Sequence, residues 1–186
     1  MITIGFNNYV CMIQGKEDLE KWHEKEDPWG YDENKDDIVR KEILLSEIPD
    51  KKYKNVLDIG CGQGFITIDL PGEMVYGVDI SESAIKFANK KATKNLIYKQ
   101  GSIFDIDKLF DVKFDLIIIT GVLYPQYIAN SSSLIYLLID KILEKKGTLI
   151  SVHIDDWYNS QFPYLKTKQL FYNYRQYTHN LEIYSK

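Results

Sequence analysis

The stretch VLDIGCGQGF, residues 56–65, decides the fold of this chain. It places Gly60, Gly62 and Gly64 at alternate positions directly after a short apolar run, and an acid, Asp58, two residues before the first glycine. Glycines that follow a strand let the backbone approach a ligand closely at the carboxyl end of that strand. The stretch therefore predicts a buried strand, then a ligand-binding turn that opens a helix.

Short apolar runs alternate with helical stretches along the rest of the chain. The predicted strands lie at 55–60, 74–80, 95–102, 114–123 and 147–154, and the predicted helices at 81–92 and 132–147, the first after a Ser81 cap and the second ended by Gly147. The run at 114–123 is apolar on both faces, as is typical of a central parallel strand covered by helices. The alternation predicts an α/β fold, a three-layer α/β/α Rossmann-like arrangement with a mostly parallel sheet.

The two ends of the chain depart from this alternation. Residues 1–50 are polar, charged and aromatic, and we interpret them as a helical lid or substrate segment before a core at 51–186. Near the other end, two β-rich runs at 168–178 and 181–186 predict an antiparallel pair at one sheet edge, with a turn at His179–Asn180. The connection over 155–167 is short for a full crossover helix. We expect a single domain over 1–186.

The composition argues against several classes of partner. The 186 residues carry a formal net charge of -4, so we expect no nucleic-acid partner. The two cysteines, Cys11 and Cys61, have neither metal-ligand spacing nor the number that a disulfide framework needs, so we expect no metal and a cytoplasmic location. The N-terminal residues lack a signal-peptide pattern, and the most apolar run is about half the length of a membrane-spanning helix, so we expect no membrane association.

The acid in the glycine turn discriminates between ligands. A dinucleotide site has the spacing G-x-G-x-x-G, whereas Phe65 stands here where its third glycine would fall. A carboxylate at Asp58 would repel a pyrophosphate, but it suits the cationic amino and sulfonium groups of S-adenosylmethionine. Asp79, at the end of the second strand, is placed to accept both ribose hydroxyls. A dinucleotide and a turn used only for packing are the alternatives.

Several motifs in order resemble those of class I S-adenosylmethionine-dependent methyltransferases over about residues 36–186. VLDIGCGQG is similar to the first motif of that superfamily, VYGVDIS (75–81) to the second, GSIFDI (101–106) to the loop flanking the adenine, and FDLIIITGVLYP (114–125) to the fourth. The resemblance implies S-adenosylmethionine as cofactor and S-adenosylhomocysteine as product. The implied cofactor contacts are Gly60, Gly62, Asp79, Ile80, Ser102, Ile103 and Thr120. The other candidate cofactor-binding residues of the glycine turn are Asp58, Cys61, Gly64 and Phe65. Position 102 is often an acid in the superfamily, and here it is serine.

A finer resemblance concerns the substrate. DPWGY, followed by a helix with Arg40-Lys41, is similar to families that modify sugars and other small metabolites, such as nodulation-factor-type N-methyltransferases. The compact size and YRQYTH (174–179) are similar to methyltransferases of bacterial capsule modification, including those making O-methyl phosphoramidate. This resemblance implies a small-molecule acceptor, a sugar derivative or a phosphorylated compound. A monomer and a homodimer both remain open, since the C-terminal strand pair has room to pair with a second chain.

Candidate residues for the methyl-transfer side come from three segments. Trp29 lies in the predicted lid near the methionine end of the cofactor, and Arg40 is a candidate for binding the cofactor carboxylate or an anionic substrate. Tyr124, after the fourth strand, is a candidate for positioning the acceptor. For each, packing or solvation is the alternative.

The histidines are the candidates for proton transfer. His153, near the end of the fifth strand, is our first candidate for a general base, oriented by Asp155 and Asp156. His23 is a weaker catalytic candidate because it lies in a charged run that we expect to be exposed, and His179 is expected to be structural. A catalytically silent cofactor-binding protein and a nicotinamide oxidoreductase are the rival functions.

Overall fold

The computed structural model describes residues 16–28, 30–31 and 33–186. Seven strands form one sheet in the order β3-β2-β1-β4-β5-β7-β6. The first five strands in that order are parallel to one another, whereas β7 is antiparallel to both β5 and β6. The strands are β1 (Asn55–Ile59), β2 (Met74–Asp79), β3 (Leu96–Gln100), β4 (Phe114–Thr120), β5 (Leu143–Ile154), β6 (Leu165–Tyr174) and β7 (Tyr177–Ser185).

Helices cover both faces of the sheet, which confirms the predicted three-layer α/β fold. They are α1 (Lys16–Trp22), α2 (Lys35–Glu47), α3 (Glu82–Ala88), α4 (Ile106–Leu109), α5 (Pro125–Ile128) and α6 (Ser132–Ile142). One face of β1 and β4 packs against α6 through Leu57, Ile117 and Ile139. The opposite face packs against α2, where Leu44 lies in one cluster with Ile118. Because β1 and β4 are apolar on both faces, they occupy the centre of the sheet.

The predicted helix after the glycine turn is reduced to a 3-10 turn at Thr67–Asp69. Gly60, Gly62 and Gly64 have φ values of 79°, 52° and 84°, which no right-handed helix accommodates. Pro71 follows soon afterwards and lacks the N–H that a continuing helix needs. The chain therefore returns from β1 to β2 without a full helix.

Two predicted boundaries were wrong. Helix α6 ends at Ile142 and not at Gly147, because Leu143 already pairs with Phe114 and the following residues form an irregularity within β5. The turn of the C-terminal hairpin lies at 175–176, with Arg175 at a φ of 52°, and not at His179–Asn180. His179 instead pairs with Ile154 and Tyr172 inside the sheet.

The connection between β5 and β6 contains only a 3-10 turn at Asp155–Trp157, as its length predicted. No crossover helix covers the sheet there, so Trp157 remains partly exposed beside the carboxyl end of β5. Across the described part of the chain, no helix has the length and apolar character needed to cross a bilayer.

Candidate functional site

Two adjoining cavities lie at the carboxyl ends of the central parallel strands, where ligands bind in open α/β sheets. The first cavity has a volume of about 220 Å³ and the second a volume of about 460 Å³. Gly121 and Tyr127, which follow β4, line both cavities, so the two are neighbours across this segment.

The first cavity combines predicted and unpredicted residues. The predicted residues that line it are His23, Gly60, Asp79, Ile80, Ser102 and Ile103. The residues that the sequence analysis missed are Leu19, Ile59, Val78, Gly101, Phe104, Gly121, Val122, Tyr127 and Ile128. Its walls are mainly apolar and its acid lies at the end of β2, an arrangement that suits an aromatic base with an attached ribose.

The glycine turn and the end of β2 are fastened together by hydrogen bonds. The N–H groups of Gly60 and Cys61 donate to the Val78 carbonyl at 2.8 and 3.0 Å. The Gly62 N–H donates to Asp79 Oδ2 at 2.9 Å, and the Ser81 N–H donates to Asp79 Oδ1 at 2.9 Å. Burial raises the pKa of the Asp79 carboxyl, while these two backbone bonds act in the opposite direction. Each carboxylate oxygen keeps acceptor capacity for a ligand hydroxyl.

The turn needs glycine for space as well as for its backbone angles. A Cβ at Gly60 would lie 2.2 Å from Val122 Cγ2, and one at Gly64 would lie 2.4 Å from the Tyr98 hydroxyl. Any side chain at either position would displace the residue that supports the turn. Gly62 and Gly64 line neither cavity, and their contact with the cofactor stays a prediction.

The second cavity is lined by aromatic rings and by charged groups from opposite ends of the chain. The predicted residues that line it are Arg40, Asp58, Cys61, Phe65, Thr120 and Tyr124. Tyr31, an aromatic residue of the predicted lid or substrate segment, lines it too. The residues that the sequence analysis missed are Ile66, Gly121, Gln126, Tyr127, Val152, Ile154, Trp157, Tyr174, Arg175, Tyr177 and His179. Most of the missed residues lie in segments without a motif. One feature of the sequence could have pointed to Arg175: it and Arg40 are the two arginines of a chain whose other basic residues, apart from the histidines, are lysines.

Asp58 is a buried acid beneath the glycine turn, with only 1% of its surface exposed. Its Oδ2 accepts a hydrogen bond from the Thr67 hydroxyl at 2.7 Å, whereas its Oδ1 has no partner among the described residues. Burial raises the pKa of the Asp58 carboxyl to about 6. A cationic ligand in the second cavity would stabilise the ionised form of this buried carboxyl group.

A buried acid, Asp37, holds both arginines of the second cavity. Arg40 Nη2 lies 3.2 Å from Asp37 Oδ1, and Arg175 Nη2 lies 2.6 Å from Asp37 Oδ2. The Tyr174 hydroxyl also donates to Asp37 Oδ1, at 2.8 Å. Arg40 is buried, yet its Nε has no hydrogen-bond partner in the described part of the chain. Arg40, a residue that lines the second cavity, thus has one buried N–H donor that no described residue uses.

His23 is buried, with 6% of its surface exposed, and it lines the first cavity. The expectation that this residue is exposed was therefore wrong. The reason is that α1 packs against the start of α3, where the Glu20 carboxylate accepts from the backbone N–H groups of Glu82 and Ser83. Burial lowers the pKa of His23, and its Nδ1 has no partner among the described residues.

The other catalytic candidates are placed differently. Tyr124 lines the second cavity, and its hydroxyl accepts from the Ile154 N–H at 2.9 Å, while burial raises its pKa to about 12. His153 lines neither cavity: Val152 and Ile154 face the second cavity, and the His153 ring lies on the opposite face of β5 against Tyr158. Burial lowers the pKa of His153. Trp29 lies outside the described residues.

The orphaned polar atoms give a direct test of whether these cavities suit the predicted cofactor. His23 Nδ1 belongs to a residue that lines the first cavity, and Asp58 Oδ1 and Arg40 Nε belong to residues that line the second. Buried polar atoms without partners are costly, so each favours a ligand that supplies the missing bond. An adenosine with an attached amino acid offers a cation for Asp58 and a carboxylate for Arg40. No group of His, Cys, Asp and Glu that could hold a metal occurs in the part of the chain that the structure describes.

Comparison with known proteins agrees with this geometry. Residues 50–183 match the family model for a methyltransferase domain. The crystal structure of the N-methyltransferase NodS from Bradyrhizobium japonicum, in complex with S-adenosylhomocysteine, aligns with a TM-score of 0.74 and 20% identity, covering 92% of this chain and 97% of that chain. The magnesium protoporphyrin IX methyltransferase from Synechocystis aligns with a TM-score of 0.60 and 18% identity, covering 86% and 84% of the two chains.

Curated relatives are similar over shorter stretches. A probable cobalt-precorrin-6B C(15)-methyltransferase from Saccharolobus solfataricus is 38% identical over 89 residues, which are 42% of this chain and 45% of that protein. Ribosomal RNA small subunit methyltransferase C from Haemophilus influenzae is 37% identical over 83 residues, 41% of this chain and 24% of that protein. The chain thus spans less than half the length of these relatives.

Proposed function

Because this chain belongs to the methyltransferase domain family, we propose that it transfers the methyl group of S-adenosylmethionine to an oxygen or nitrogen of a small polar metabolite. A sugar derivative or a phosphorylated compound, including a building block of a capsule or other surface polysaccharide, is the acceptor class we favour. The single observation that carries this proposal is the second cavity. It adjoins the first, it measures about 460 Å³, and hydroxyls, aromatic rings and two guanidinium groups line it.

The first cavity accounts for the adenosine part of the cofactor. Asp79 accepts the ribose hydroxyls, and its carboxylate is already oriented by the Gly62 and Ser81 N–H groups. Ser102 and Ile103 flank the adenine. Because Ser102 Oγ already accepts from the Phe104 N–H at 3.2 Å, its hydroxyl proton remains as a donor for a ring nitrogen.

The second cavity accounts for the methionine part and for the acceptor. Asp58 attracts the cationic amino and sulfonium side, and Arg40 uses its free Nε N–H for the cofactor carboxylate. When bound, S-adenosylmethionine supplies a methyl group that the sulfonium charge has already activated. The residues of this chain therefore act mainly by holding the acceptor atom in line with that methyl group. Tyr124, fixed by its bond to the Ile154 N–H, forms part of this wall.

A hydroxyl acceptor loses a proton during transfer, and an imidazole can take it. His179 lines the second cavity and His153 does not, so we place this step at His179 and keep His153 as the alternative. The Tyr172 hydroxyl lies 3.2 Å from His179 Nδ1, which leaves Nε2 for the acceptor. Burial lowers the pKa of His179 to about 3, so the ring is neutral at pH 7 but is a weak base, and the His179→Gln variant tests whether it takes the proton.

The proposed function is tested with methyl-labelled S-adenosylmethionine and fractionated small metabolites. We expect label in a small polar compound, and formation of S-adenosylhomocysteine that depends on this fraction. His179→Gln should slow the transfer with little change in cofactor affinity, whereas His153→Gln serves as the matched comparison. Binding of S-adenosylhomocysteine without transfer to any fraction would instead identify a silent cofactor-binding protein. If His153→Gln slowed methyl transfer and His179→Gln did not, His153 would be the base instead of His179.

A further inference from the structure

His23 is brought to the first cavity by the helix that precedes it. Its backbone N–H donates to the Leu19 carbonyl at 3.1 Å, so Leu19 and His23 lie on one face of this segment, and both line the cavity. The helix is itself fixed by Glu20, whose carboxylate accepts from the N–H groups of Glu82 and Ser83 at 2.9 and 2.8 Å. His23 therefore reaches the cavity from a segment outside the glycine turn and the sheet.

The imidazole lies near the carboxylate at the end of β2 without bonding to it. A Cβ at Gly62 would lie 3.8 Å from His23 Cε1, and the Gly62 N–H donates to Asp79 Oδ2 at 2.9 Å. The two side chains interact electrostatically, yet no hydrogen bond or ion pair joins His23 to Asp79, both of which the structure describes. The imidazole and the carboxylate thus border one cavity and are separated by more than a hydrogen-bond length.

The His23 ring has hydrogen-bonding capacity that the described residues do not use. The residue is buried, and its Nδ1 has no partner in the part of the chain that the structure describes. Burial lowers the pKa of the ring, while the Asp79 and Glu20 carboxylates oppose this effect, so the ring is neutral at pH 7. A neutral imidazole carries one N–H donor and one acceptor nitrogen. Because a buried polar atom without a partner is costly, a ligand that bonds to this ring is favoured.

The ribose of the cofactor needs a donor that Asp79 does not supply. An ionised carboxylate only accepts hydrogen bonds, so a hydroxyl that donates to Asp79 keeps lone pairs on its own oxygen. Among the described residues that line the first cavity, the side chains with a donor are those of His23, Ser102 and Tyr127. The proposed function places Ser102 at the adenine, and Tyr127 lies at the boundary with the second cavity. His23 is therefore the side-chain donor that remains for the ribose.

We propose that His23 binds a ribose hydroxyl of the cofactor, by donating its imidazole N–H to a hydroxyl whose hydrogen is bonded to Asp79. This inference rests on the proposed function, which places the adenosine in the first cavity. The carboxylate and the imidazole together satisfy both the hydrogen and the oxygen of one hydroxyl. A site built in this way distinguishes ribose from deoxyribose, because a missing hydroxyl leaves both side chains without their partner.

The test compares cofactor analogues that differ by one hydroxyl. S-adenosylhomocysteine and its 2′-deoxy and 3′-deoxy analogues are titrated into the wild-type and His23→Phe proteins by isothermal titration calorimetry. Phenylalanine keeps a flat ring but has no nitrogen. We expect S-adenosylhomocysteine to bind about fivefold to tenfold more weakly to His23→Phe. One deoxy analogue should bind the two proteins with nearly equal affinity, because the hydroxyl that His23 bonds is already missing from it.

Two further variants serve as comparisons. Lys21→Gln changes an exposed residue of α1, and it should bind all three ligands as the wild type does. His23→Gln keeps a side-chain donor, and it should discriminate between S-adenosylhomocysteine and the deoxy analogue better than His23→Phe does. Equal losses for all three ligands in His23→Phe would mean that the ring only packs against the cavity, which would overturn the inference.

The same titrations separate this inference from the proposed function. If the wild-type protein does not bind S-adenosylhomocysteine, the proposed function fails. If the wild-type protein binds S-adenosylhomocysteine and His23→Phe binds it equally well, the cofactor site stands and only the role of His23 is refuted.

Discussion

Asp79 Oδ2 accepts a hydrogen bond from the Gly62 N–H at 2.9 Å, and this bond ties the end of β2 to the glycine turn. Asp79 also lines the first cavity, so one residue both ties down the turn and borders the cavity. Because the Ser81 N–H holds the other oxygen, the carboxylate has a fixed orientation before any ligand binds. Such preorganisation lowers the entropic cost of binding.

Replacing Asp79 should therefore weaken cofactor binding. We expect Asp79→Ala to lose at least about tenfold in affinity for S-adenosylhomocysteine, or about 1.4 kcal/mol, since it removes charge-assisted bonds to the ribose. Titration calorimetry measures the loss. Asp111→Asn, which changes an exposed carboxyl group away from both cavities, is the control. Equal affinities for the wild-type and Asp79→Ala proteins would remove Asp79 from the cofactor site.

The segment after α1 is fastened to the glycine turn by the Gln63 side chain. Gln63 Nε2 donates to the Lys25 carbonyl at 2.8 Å, and Gln63 Oε1 accepts from the Asp27 N–H at 2.8 Å. This clasp, together with the Glu20 contacts to α3, keeps Leu19 and His23 at the first cavity. We propose that this segment covers the adenosine of the cofactor.

Gln63→Ala should release this cover. Loss of two hydrogen bonds at about 1 kcal/mol each, or about 2 kcal/mol together, predicts that S-adenosylhomocysteine dissociates up to about thirtyfold faster, measured by stopped-flow fluorescence. Gln161→Ala, a change at an exposed position of the β5–β6 connection, should leave the rate unchanged. An unaltered dissociation rate in Gln63→Ala would show that the clasp does not control cofactor release.

Cofactor affinity should depend on pH through Asp58. Burial raises the pKa of this carboxyl to about 6, so the charge that attracts the cationic side of the cofactor is present above pH 6 and is lost as the pH falls through this value. Between pH 7.5 and 5.5 the ionised fraction falls about fourfold, and the affinity for S-adenosylmethionine should fall by up to that factor.

Asp58→Asn isolates this contribution, because the amide oxygen can still accept from the Thr67 hydroxyl. The variant should bind more weakly at pH 7.5 and with less pH dependence. Burial also raises the pKa of Asp79, so the difference between the two pH curves, and not the wild-type curve alone, reports on Asp58. Parallel curves for the two proteins would contradict the assignment.

Features that depend on residues close together in the sequence could be predicted, whereas features that depend on the pairing of distant segments could not. Ser81 caps α3 and the apolar run at 114–120 forms the central strand, because short-range spacing determines both. The walls of the second cavity were missed since they arise when β7 inserts between β5 and β6, which brings Tyr174 and Arg175 to Arg40. No local spacing encodes that pairing. The hairpin turn was placed wrongly for a different reason. Arg175 adopts a left-handed backbone conformation, which an arginine in a sequence does not indicate.

Burial of His179 should make folding stability depend on pH. Burial lowers the pKa of this imidazole to about 3, with contributions from Arg40 and His153, whereas the unfolded chain has a pKa near the ordinary value of about 6.5. Below about pH 6.5, the unfolded state therefore binds a proton at His179, whereas the folded state binds it only near pH 3. The stabilising effect is full above pH 6.5 and is lost progressively as the pH falls from 6.5 towards 3.

The free energy of unfolding of the wild-type protein should fall between pH 7 and pH 5 as His179 becomes protonated in the unfolded state. His179→Gln removes this titration, so the fall in the variant should be smaller by about 2 kcal/mol. Urea denaturation at both pH values measures the difference, whatever the stability of the variant at pH 7. Burial lowers the pKa values of His23 and His153 too, so both proteins keep a common pH dependence that cancels in the comparison. Identical losses in the two proteins would mean that His179 keeps an ordinary pKa, and hence that water reaches its ring within the second cavity.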